Sequence, residues 1–242
     1  MIYVGIDDTD TLESPGTNQL AKALAERLRN RLICRQITRH QLLYDPRVPY
    51  TSKNGSASLL FEPLPANSPP TVAALAAELR EGMAEWYLPG SDPGLCVAEQ
   101  VPAEITDWGR RCQQEIVDQQ EALRLADRHA IYLEGLGGTH GGVIGALAAV
   151  GLIAAGRDGR VVRWGDWPDD LTGPVDASLL LARGLEIRQF DQAGSELGCI
   201  VTSGTVDVGK RLRPNCRDGR IVLLVAPSAD KSAADWQAVR CV

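Results

Sequence analysis

The sequence predicts an α/β protein (α+β in its layout) with a smaller, β-rich carboxy-terminal portion. Through about residue 150, short β-rich runs alternate with segments of helical periodicity. From residue 156 onward the helical signal fades, and short strand-like runs separated by glycine turns dominate. The composition, 44% hydrophobic and 23% charged residues, is typical of a globular protein with a substantial core.

The individual elements follow from local patterns. The run I-Y-V-G-I at 2–6 is a strand that ends abruptly in carboxylates, and leucines and alanines at helical spacing follow the Pro-Gly turn. Pro102 suits the first turn of a long helix from Ala103 to about Arg128. The run V-I-G-A-L-A-A-V-G-L is a helix too short to cross a membrane, which predicts a buried position. The same reasoning predicts strands at 32–38, 56–62 and 95–98 and a helix at about 71–87.

These elements divide the chain between residues 128 and 129. The first part, 1–128, is an α/β domain. The second, 129–242, takes in the glycine-rich E-G-L-G-G-T-H-G-G, the buried helix and the β-rich portion, for which a ferredoxin-like arrangement is one alternative.

Charge and cysteine content exclude several functions. The net charge of −6 argues against a general nucleic-acid binder, although arginines gather between residues 27 and 53. The six cysteines form no C-x-x-C pair, so a zinc ribbon or a redox motif is not supported. With no membrane-length apolar run and no signal peptide at the amino terminus, we expect a cytoplasmic protein with reduced thiols.

The strongest chemical signal is the sequence D-D-T-D directly after the first strand. Asp7, Asp8 and Asp10 would repel one another at the end of a buried strand unless a cation offsets their charge. Hard oxygen ligands favour Mg²⁺, which usually arrives with nucleotide phosphates. A single Asp in this place would most simply cap a turn, but the cluster predicts a metal and phosphate site.

The glycine-rich segment 137–145 precedes a helix. Glycines in such a place allow backbone N–H groups, including those around Gly138 and Gly141, to approach a phosphate, aided by the positive end of the helix. The segment matches neither a P-loop nor a dinucleotide fingerprint. A tight, closely packed turn explains the same glycines equally well.

Four segments, in the same order, resemble the archaeal tRNA-isoleucine agmatinylcytidine synthetase family, which begins with a domain of the Thr-Cys-Lys-Asp kinase fold. G-I-D-D-T-D matches the start of that family, and S-D-P-G-L resembles its N-P-G-V turn. P-Y-T-S-K-N-G-S-A resembles its P-x-K-T-R-G-N-G-A, and G-G-T-H-G-G-V-I-G-A-L-A-A-V-G resembles its G-N-x-R-G-L-I-G-A-L-A-A-I-G. The resemblance covers most of residues 1–155.

The resemblance implies a kinase-like domain over 1–128 that binds ATP and Mg²⁺. In that family a cytidine carbonyl is activated by phosphorylation, and the amine of agmatine then displaces the phosphate. Carried over by position, Asp7, Asp8 and Asp10 would hold the metal and the phosphates, and Thr17 would contact phosphate or accept it. The nucleotide-binding residues would be Lys53, Asn54, Gly55, Gly138, His140 and Gly141.

The sequence also departs from the family. Gly16 stands where the family has cysteine, one basic residue is lost around Lys53, and His140 takes the place of an arginine. The family's oligonucleotide-fold domain and zinc ribbon have no counterpart, so we expect a truncated relative. We therefore expect an ATP-dependent enzyme of the ligase or transferase type that binds a nucleotide and a substrate, with a small molecule favoured over tRNA.

Two rival hypotheses remain open at the sequence level. D-T-D-T-L at 8–12 imitates the nucleophile loop of haloacid-dehalogenase phosphatases, with Asp169 and Asp170 as a further acidic pair. Alternatively, the chain is a non-catalytic module that binds a nucleotide or a partner.

Overall fold

The computed structural model describes residues 1–9, 16–48, 54–65, 68–88, 90–165, 170–190 and 196–239, with the backbone alone for 196–198. Two compact units, Met1–Ala155 and Gly156–Val242, make up the chain. The division predicted from the sequence lies earlier, at 128/129. In the structure the glycine-rich loop and the apolar helix after it pack within the first unit, because that helix covers its central strands.

The first unit contains five strands and five helices among the described residues. In chain order these are β1 (Ile2–Asp7), α1 (Thr17–Arg27), β2 (Leu32–Gln41), β3 (Gly55–Pro63), α2 (Val72–Ala84), β4 (Gly94–Ala98), α3 (Ala103–Gln114), α4 (Gln119–Arg128), β5 (Tyr132–Gly135) and α5 (Val143–Ala155).

The sheet of this unit is antiparallel in every pairing, in the order β5-β4-β1-β3-β2. The registers bring one end of every strand to the same edge. Asp7 lies opposite Gly94, Gly94 lies opposite Gly135, and Gly55 lies opposite Gln41. We call the edge marked by these five residues the loop edge, because the connections after β1, β2 and β5 and before β3 and β4 all meet there.

Helices cover both faces of the sheet. On one face α5 lies directly on β1, since a Cβ on Gly5 would fall 1.9 Å from the Ala146 carbonyl oxygen. Together with α3 and α4 it buries a core around Trp108 and Leu147. On the opposite face α1 contacts β3 and α2 contacts β4. Both α1 and α5 begin at the loop edge.

One predicted helix is two helices in the structure. The periodicity predicts a helix from Ala103 to about Arg128, but Glu115 is extended (φ −141°, ψ 162°) and ends α3. A new helix begins after Asp118, whose side chain accepts a hydrogen bond from the Glu121 N–H at 3.1 Å. The break turns the chain so that α4 can pack on α5.

The second unit is rich in strands, as the sequence predicts. Its elements are β6 (Arg160–Trp164), β7 (Pro174–Asp176), α6 (Ala177–Ala182), β8 (Glu186–Phe190), β9 (Glu196–Ile200), β10 (Thr205–Asp207), β11 (Asn215–Arg217), β12 (Arg220–Pro227) and β13 (Trp236–Ala238). β12 pairs with β8 in parallel and with β11 and β13 antiparallel. Val206, Ile187 and Leu223 lie in its buried core. The predicted fold class, mixed α/β followed by a β-rich portion, is confirmed.

Within the described part of the chain, no helix combines the length and the apolar character needed to cross a membrane.

Candidate functional site

Asp7 is the last residue of β1 and lies half-buried at the loop edge. Its carboxylate rests against Gly145 in the first turn of α5, where a Cβ would lie only 1.8 Å from Oδ2. Only glycine leaves room for the carboxylate at this point. The positive end of the α5 dipole therefore lies beside a negative side chain, a favourable arrangement.

The turn after β1 is fastened to the start of α1. Asp8 has φ 48°, the left-handed region that a non-glycine residue seldom adopts and that recurs at functional sites. Thr9 is buried, and its hydroxyl donates to Thr17 Oγ1 at 3.1 Å. Thr17 is the first residue of α1, so the hydrogen bond fixes the helix start next to the two carboxylates. Asp10 lies outside the described residues.

The glycine-rich loop is held by Asp92, a half-buried residue in the turn before β4. The Asp92 carboxylate accepts the Thr139 N–H at 2.6 Å and also the Thr139 hydroxyl. Gly138 has φ 58° and lies so close to the Asp92 carboxylate that a Cβ on Gly138 would overlap Oδ1. Gly141 lies beside the same carboxylate. Asp92 was absent from the residues that we predicted for the site, although the S-D-P-G turn that contains it was recognised.

His140 is exposed, but its imidazole is engaged. Nδ1 lies 2.7 Å from the Gly135 carbonyl oxygen, to which it donates, and the ring covers Gly135. The residue has φ 62°. The Gln119 side-chain amide binds the carbonyl oxygens of Thr139 and His140 at 3.1 and 2.9 Å, which ties α4 to this loop.

The loop after β2 is closed by Asn54. The Asn54 carbonyl oxygen accepts the Leu42 N–H at 2.9 Å, and its side-chain amide donates to the Leu43 carbonyl oxygen at 2.8 Å. Gly55 lies under the guanidinium of Arg39, since a Cβ there would be 2.5 Å from Nη2. Lys53 lies outside the described residues. Arg39 thus brings a cation close to this turn, and the sequence analysis counted it only among the arginines between residues 27 and 53.

A buried polar patch lies behind the loop edge and was not predicted. It consists of Thr38, His40, Ser56 and Ser58, each with 0% exposure. His40 Nε2 lies 2.8 Å from Ser58 Oγ, which is 3.4 Å from the Thr38 carbonyl oxygen. The sequence does carry a signal for this patch, because polar residues alternate with others in S-A-S and T-R-H on neighbouring strands. We did not expect the polar side of such an alternation to face inward, as it does here.

The donor set suits magnesium brought by phosphates. Among the described residues, no group of three or more His, Cys, Asp or Glu side chains could cage an ion. Asp7 and Asp8 supply two carboxylates at consecutive positions. Mg²⁺ commonly uses one or two carboxylates and completes its shell with water and substrate phosphates, so the described residues fit this mode of binding.

Burial keeps the nearby thiols unreactive. Burial raises the pKa of the Cys96 and Cys112 thiols far above the ordinary value, and for Cys112 the charge of Asp7 adds to the effect. Neither thiol is thus available as a thiolate nucleophile or metal ligand.

Solved structures provide the comparison with known proteins, because no family model and no curated protein matches the sequence. The chain is similar to a tRNA fluorescent labelling enzyme (27% identity, TM-score 0.54) and to TiaS in complex with tRNA(Ile2) and ATP (25% identity, TM-score 0.54). Each match covers 62% of this chain and about a third of the other, 35% and 36%.

A third match extends the likeness at the level of fold. Apo TiaS, a tRNA(Ile2) agmatidine synthetase, matches over 99% of this chain and 56% of its own (18% identity, TM-score 0.55). The resemblance predicted from the sequence is confirmed by these three structures, and the fold likeness continues past residue 155, where the motifs had faded.

One expectation is wrong. A small molecule was favoured over tRNA as the substrate, but the similar TiaS structure was solved with tRNA(Ile2) and ATP bound. The expectation relied on the lack of a counterpart to the family's oligonucleotide-fold domain and zinc ribbon, and on the net charge of the whole chain. Net charge averages over surfaces remote from any interface, so it does not decide what a local site binds.

Proposed function

We propose that this chain is an ATP- and magnesium-dependent enzyme that modifies tRNA, with residues 1–155 as its catalytic core. The observation that carries the proposal is the convergence at the loop edge. The described residues of all four segments that resemble the synthetase family include a strand end or a loop at this edge, and the fourth segment continues from there into α5. The likeness to TiaS bound to tRNA(Ile2) and ATP supports the nucleotide and the class of substrate.

In the proposed reaction a carbonyl of a tRNA base is phosphorylated, and an amine then displaces the phosphate. Asp7 and Asp8 would hold magnesium and, through it, the phosphates; Asp10 belongs to the same proposal by sequence. Bound Mg-ATP would supply the phosphoryl group and neutralise the charge that develops on it. Thr17, at the start of α1, would contact a phosphate or accept it.

The remaining residues would shape the nucleotide site. His140 and Asn54 already use their side chains to fix the two loops. We therefore propose that these two residues, and Gly55, Gly138 and Gly141, help to bind the nucleotide by positioning backbone N–H groups. Backbone N–H groups at a helix start bind phosphate well. Lys53 would add a cation to the same loop.

Binding of Mg-ATP tests the first part of the proposal. Saturating nucleotide, at about 100 times Kd, should stabilise the wild type by roughly 2.7 kcal/mol. Asp8→Asn should abolish most of this increase. Asp107→Asn is the matched control, because it removes the same charge from an exposed ion pair with Arg110 on α3. An unchanged melting curve at millimolar Mg-ATP would refute nucleotide binding.

Turnover separates an enzyme from a binding module. Wild-type protein incubated with tRNA, agmatine and labelled ATP should consume ATP and attach the amine to the RNA, and Asp8→Asn should do neither. Binding of ATP with no turnover on any tRNA would favour the non-catalytic module. The phosphatase alternative gains nothing from the described residues, since Asp170 is paired with Arg183 at 3.3 Å in the second unit and Asp169 is not described.

A further inference from the structure

One hydroxyl of the buried polar patch is left over. The other three side chains have partners. Ser58 donates to the Thr38 carbonyl oxygen, and its Oγ lies 2.8 Å from His40 Nε2. The Thr38 hydroxyl accepts a hydrogen bond from the Gln36 side-chain amide at 2.7 Å. Ser56 is equally buried, at 0% exposure, yet its Oγ has no hydrogen-bond partner in the described structure. A buried hydroxyl in that condition opposes folding and calls for an explanation.

Ser56 is a neighbour of Asp7 across the sheet. In the β1–β3 ladder Ile6 pairs with Ala57. The next position of an antiparallel ladder places the residue after Ile6 across from the residue before Ala57, which are Asp7 and Ser56. Side chains in such a position have Cβ atoms about 4.5–5.5 Å apart.

The two side chains also share a face. Ser58 pairs with Gly5, and Gly5 faces α5, since a Cβ there would fall 1.9 Å from the Ala146 carbonyl oxygen. Side chains two residues apart lie on the same face of a strand. Ser56 therefore faces α5 with Ser58, and Asp7 faces α5 with Gly5. Ser56 and Asp7 are therefore neighbours on this face at the loop edge, where the Asp7 carboxylate rests against Gly145 in the first turn of α5.

A hydroxyl beside a carboxylate complements it. A carboxylate can hold a cation but cannot donate a hydrogen bond when ionised, whereas a serine hydroxyl rotates to donate to whichever acceptor comes within reach. An oxygen that accompanies a cation at Asp7 would give Ser56 the partner that the protein does not provide. Such an oxygen belongs either to a phosphate or to water bound to the metal.

The geometry assigns Ser56 to the ligand site as a binding residue whose Oγ–H donates to an oxygen held at Asp7. This assignment rests on the proposed function, because it takes Asp7 to hold magnesium and phosphate. It adds to the site a residue that neither the motifs nor the carboxylates indicate.

The test compares Ser56→Ala with Ser58→Ala, two substitutions of one atom in the same strand. Ser56→Ala removes a hydroxyl with no partner, so the melting temperature of the ligand-free protein should stay the same or rise. Its Kd for Mg-ATP, measured by calorimetry, should increase about tenfold to a hundredfold, the range for a hydrogen bond to a charged group. Ser58→Ala removes the hydroxyl that binds both His40 Nε2 and the Thr38 carbonyl oxygen, so it should lower the melting temperature and leave Kd nearly unchanged.

Three titrations of each protein, with Mg-ATP, with magnesium alone and with ATP in a chelator, identify the oxygen. A deficit of Ser56→Ala with magnesium alone assigns metal-bound water; a deficit only when ATP is present assigns a phosphate. If the wild type binds Mg-ATP and the Ser56→Ala variant binds it with the same Kd, the inference is overturned and the proposed function stands. A wild type that binds none of the three overturns both, and a Ser56→Ala variant that melts early shows a structural role instead.

Discussion

Replacement of Gly145 by alanine should displace the Asp7 carboxylate while it improves the helix. The new Cβ would lie 1.8 Å from Oδ2 and 2.5 Å from Cγ of Asp7, whereas ordinary contact begins at 3.4 Å. Oδ2 must therefore move by about 1.6 Å, because the α5 backbone packs directly on the sheet at Gly5 and cannot retreat. Alanine favours a helix over glycine by about 0.5–1 kcal/mol, so the substitution combines a local gain with damage to the site.

The expected effect on binding follows from the loss of one charge-assisted contact, about 1.5–3 kcal/mol. A hundredfold increase in Kd, within that range, reduces the stabilisation by Mg-ATP from about 2.7 to about 0.4 kcal/mol at the same nucleotide concentration. Thermal melts with and without Mg-ATP measure the difference. Gly82→Ala is the control, since a Cβ in that helix would meet only the flexible ends of Leu24 and Arg27.

A double-mutant cycle isolates the clash. With Asp7→Ala as background the carboxylate is gone and only the Cβ of residue 7 remains, 3.1 Å from the new Cβ. Gly145→Ala should then stabilise the protein against urea by up to about 0.5–1 kcal/mol. In the wild-type background the same substitution should yield less, because the carboxylate must rearrange. Equal gains in the two backgrounds would refute the placement of the carboxylate on α5. Unchanged Mg-ATP binding by Gly145→Ala would refute the proposed role of Asp7 in holding the ligand.

Two further predictions concern the loops. Asp92→Ala removes the acceptor of two hydrogen bonds, so it should destabilise the protein by about 1–3 kcal/mol in urea unfolding and accelerate amide exchange in the glycine-rich loop. Asp92→Asn keeps one acceptor oxygen and should show less of both effects. Equal amide exchange in the wild type and both variants would contradict this prediction. In the loop after β2, hydrogen bonds from Arg47 lower the pKa of Asp45 to about 2. The pair therefore stabilises the folded state at a pH above the ordinary carboxyl pKa, and this stabilisation is lost as the pH falls through about 2. Arg47→Ala should return the pKa of Asp45 towards about 3.9 in an NMR titration, and an unmoved pKa would rule out the pair.

The sequence was informative where a local pattern has one structural meaning. A strand that stops at consecutive carboxylates must end at the surface, and Asp7 and Asp8 do lie at the end of β1. Glycines followed by an unbroken apolar run predicted a loop and a buried helix, which are the glycine-rich loop and α5. The apolar run predicts that the helix is buried, but it does not indicate which part of the protein covers the helix. The division at 128/129 therefore separated α5 from the sheet on which it packs.

Other features depend on contacts that the sequence does not display. The strand that carries Ser56 alternates polar and apolar residues, a pattern typical of a sheet with one wet face. Here both faces are covered by helices, so the polar side of the alternation is buried. The break before α4 had a local signal, because Asp118 followed by Glu121 is a capping pair. The helical periodicity on either side concealed it.

The close approach of glycines at the loop edge affects how relatives of this protein can be recognised. Gly94 and Gly142 touch backbone to backbone, and Gly138 and Gly145 make room for Asp92 and Asp7. Selection for a correctly packed domain is enough to retain these four glycines, whether or not a reaction takes place. A related chain without catalytic activity would keep the same glycine signature, so searches that rely on it would group active and inactive chains together. A catalogue of active members would have to be filtered on the side chains that face the ligand.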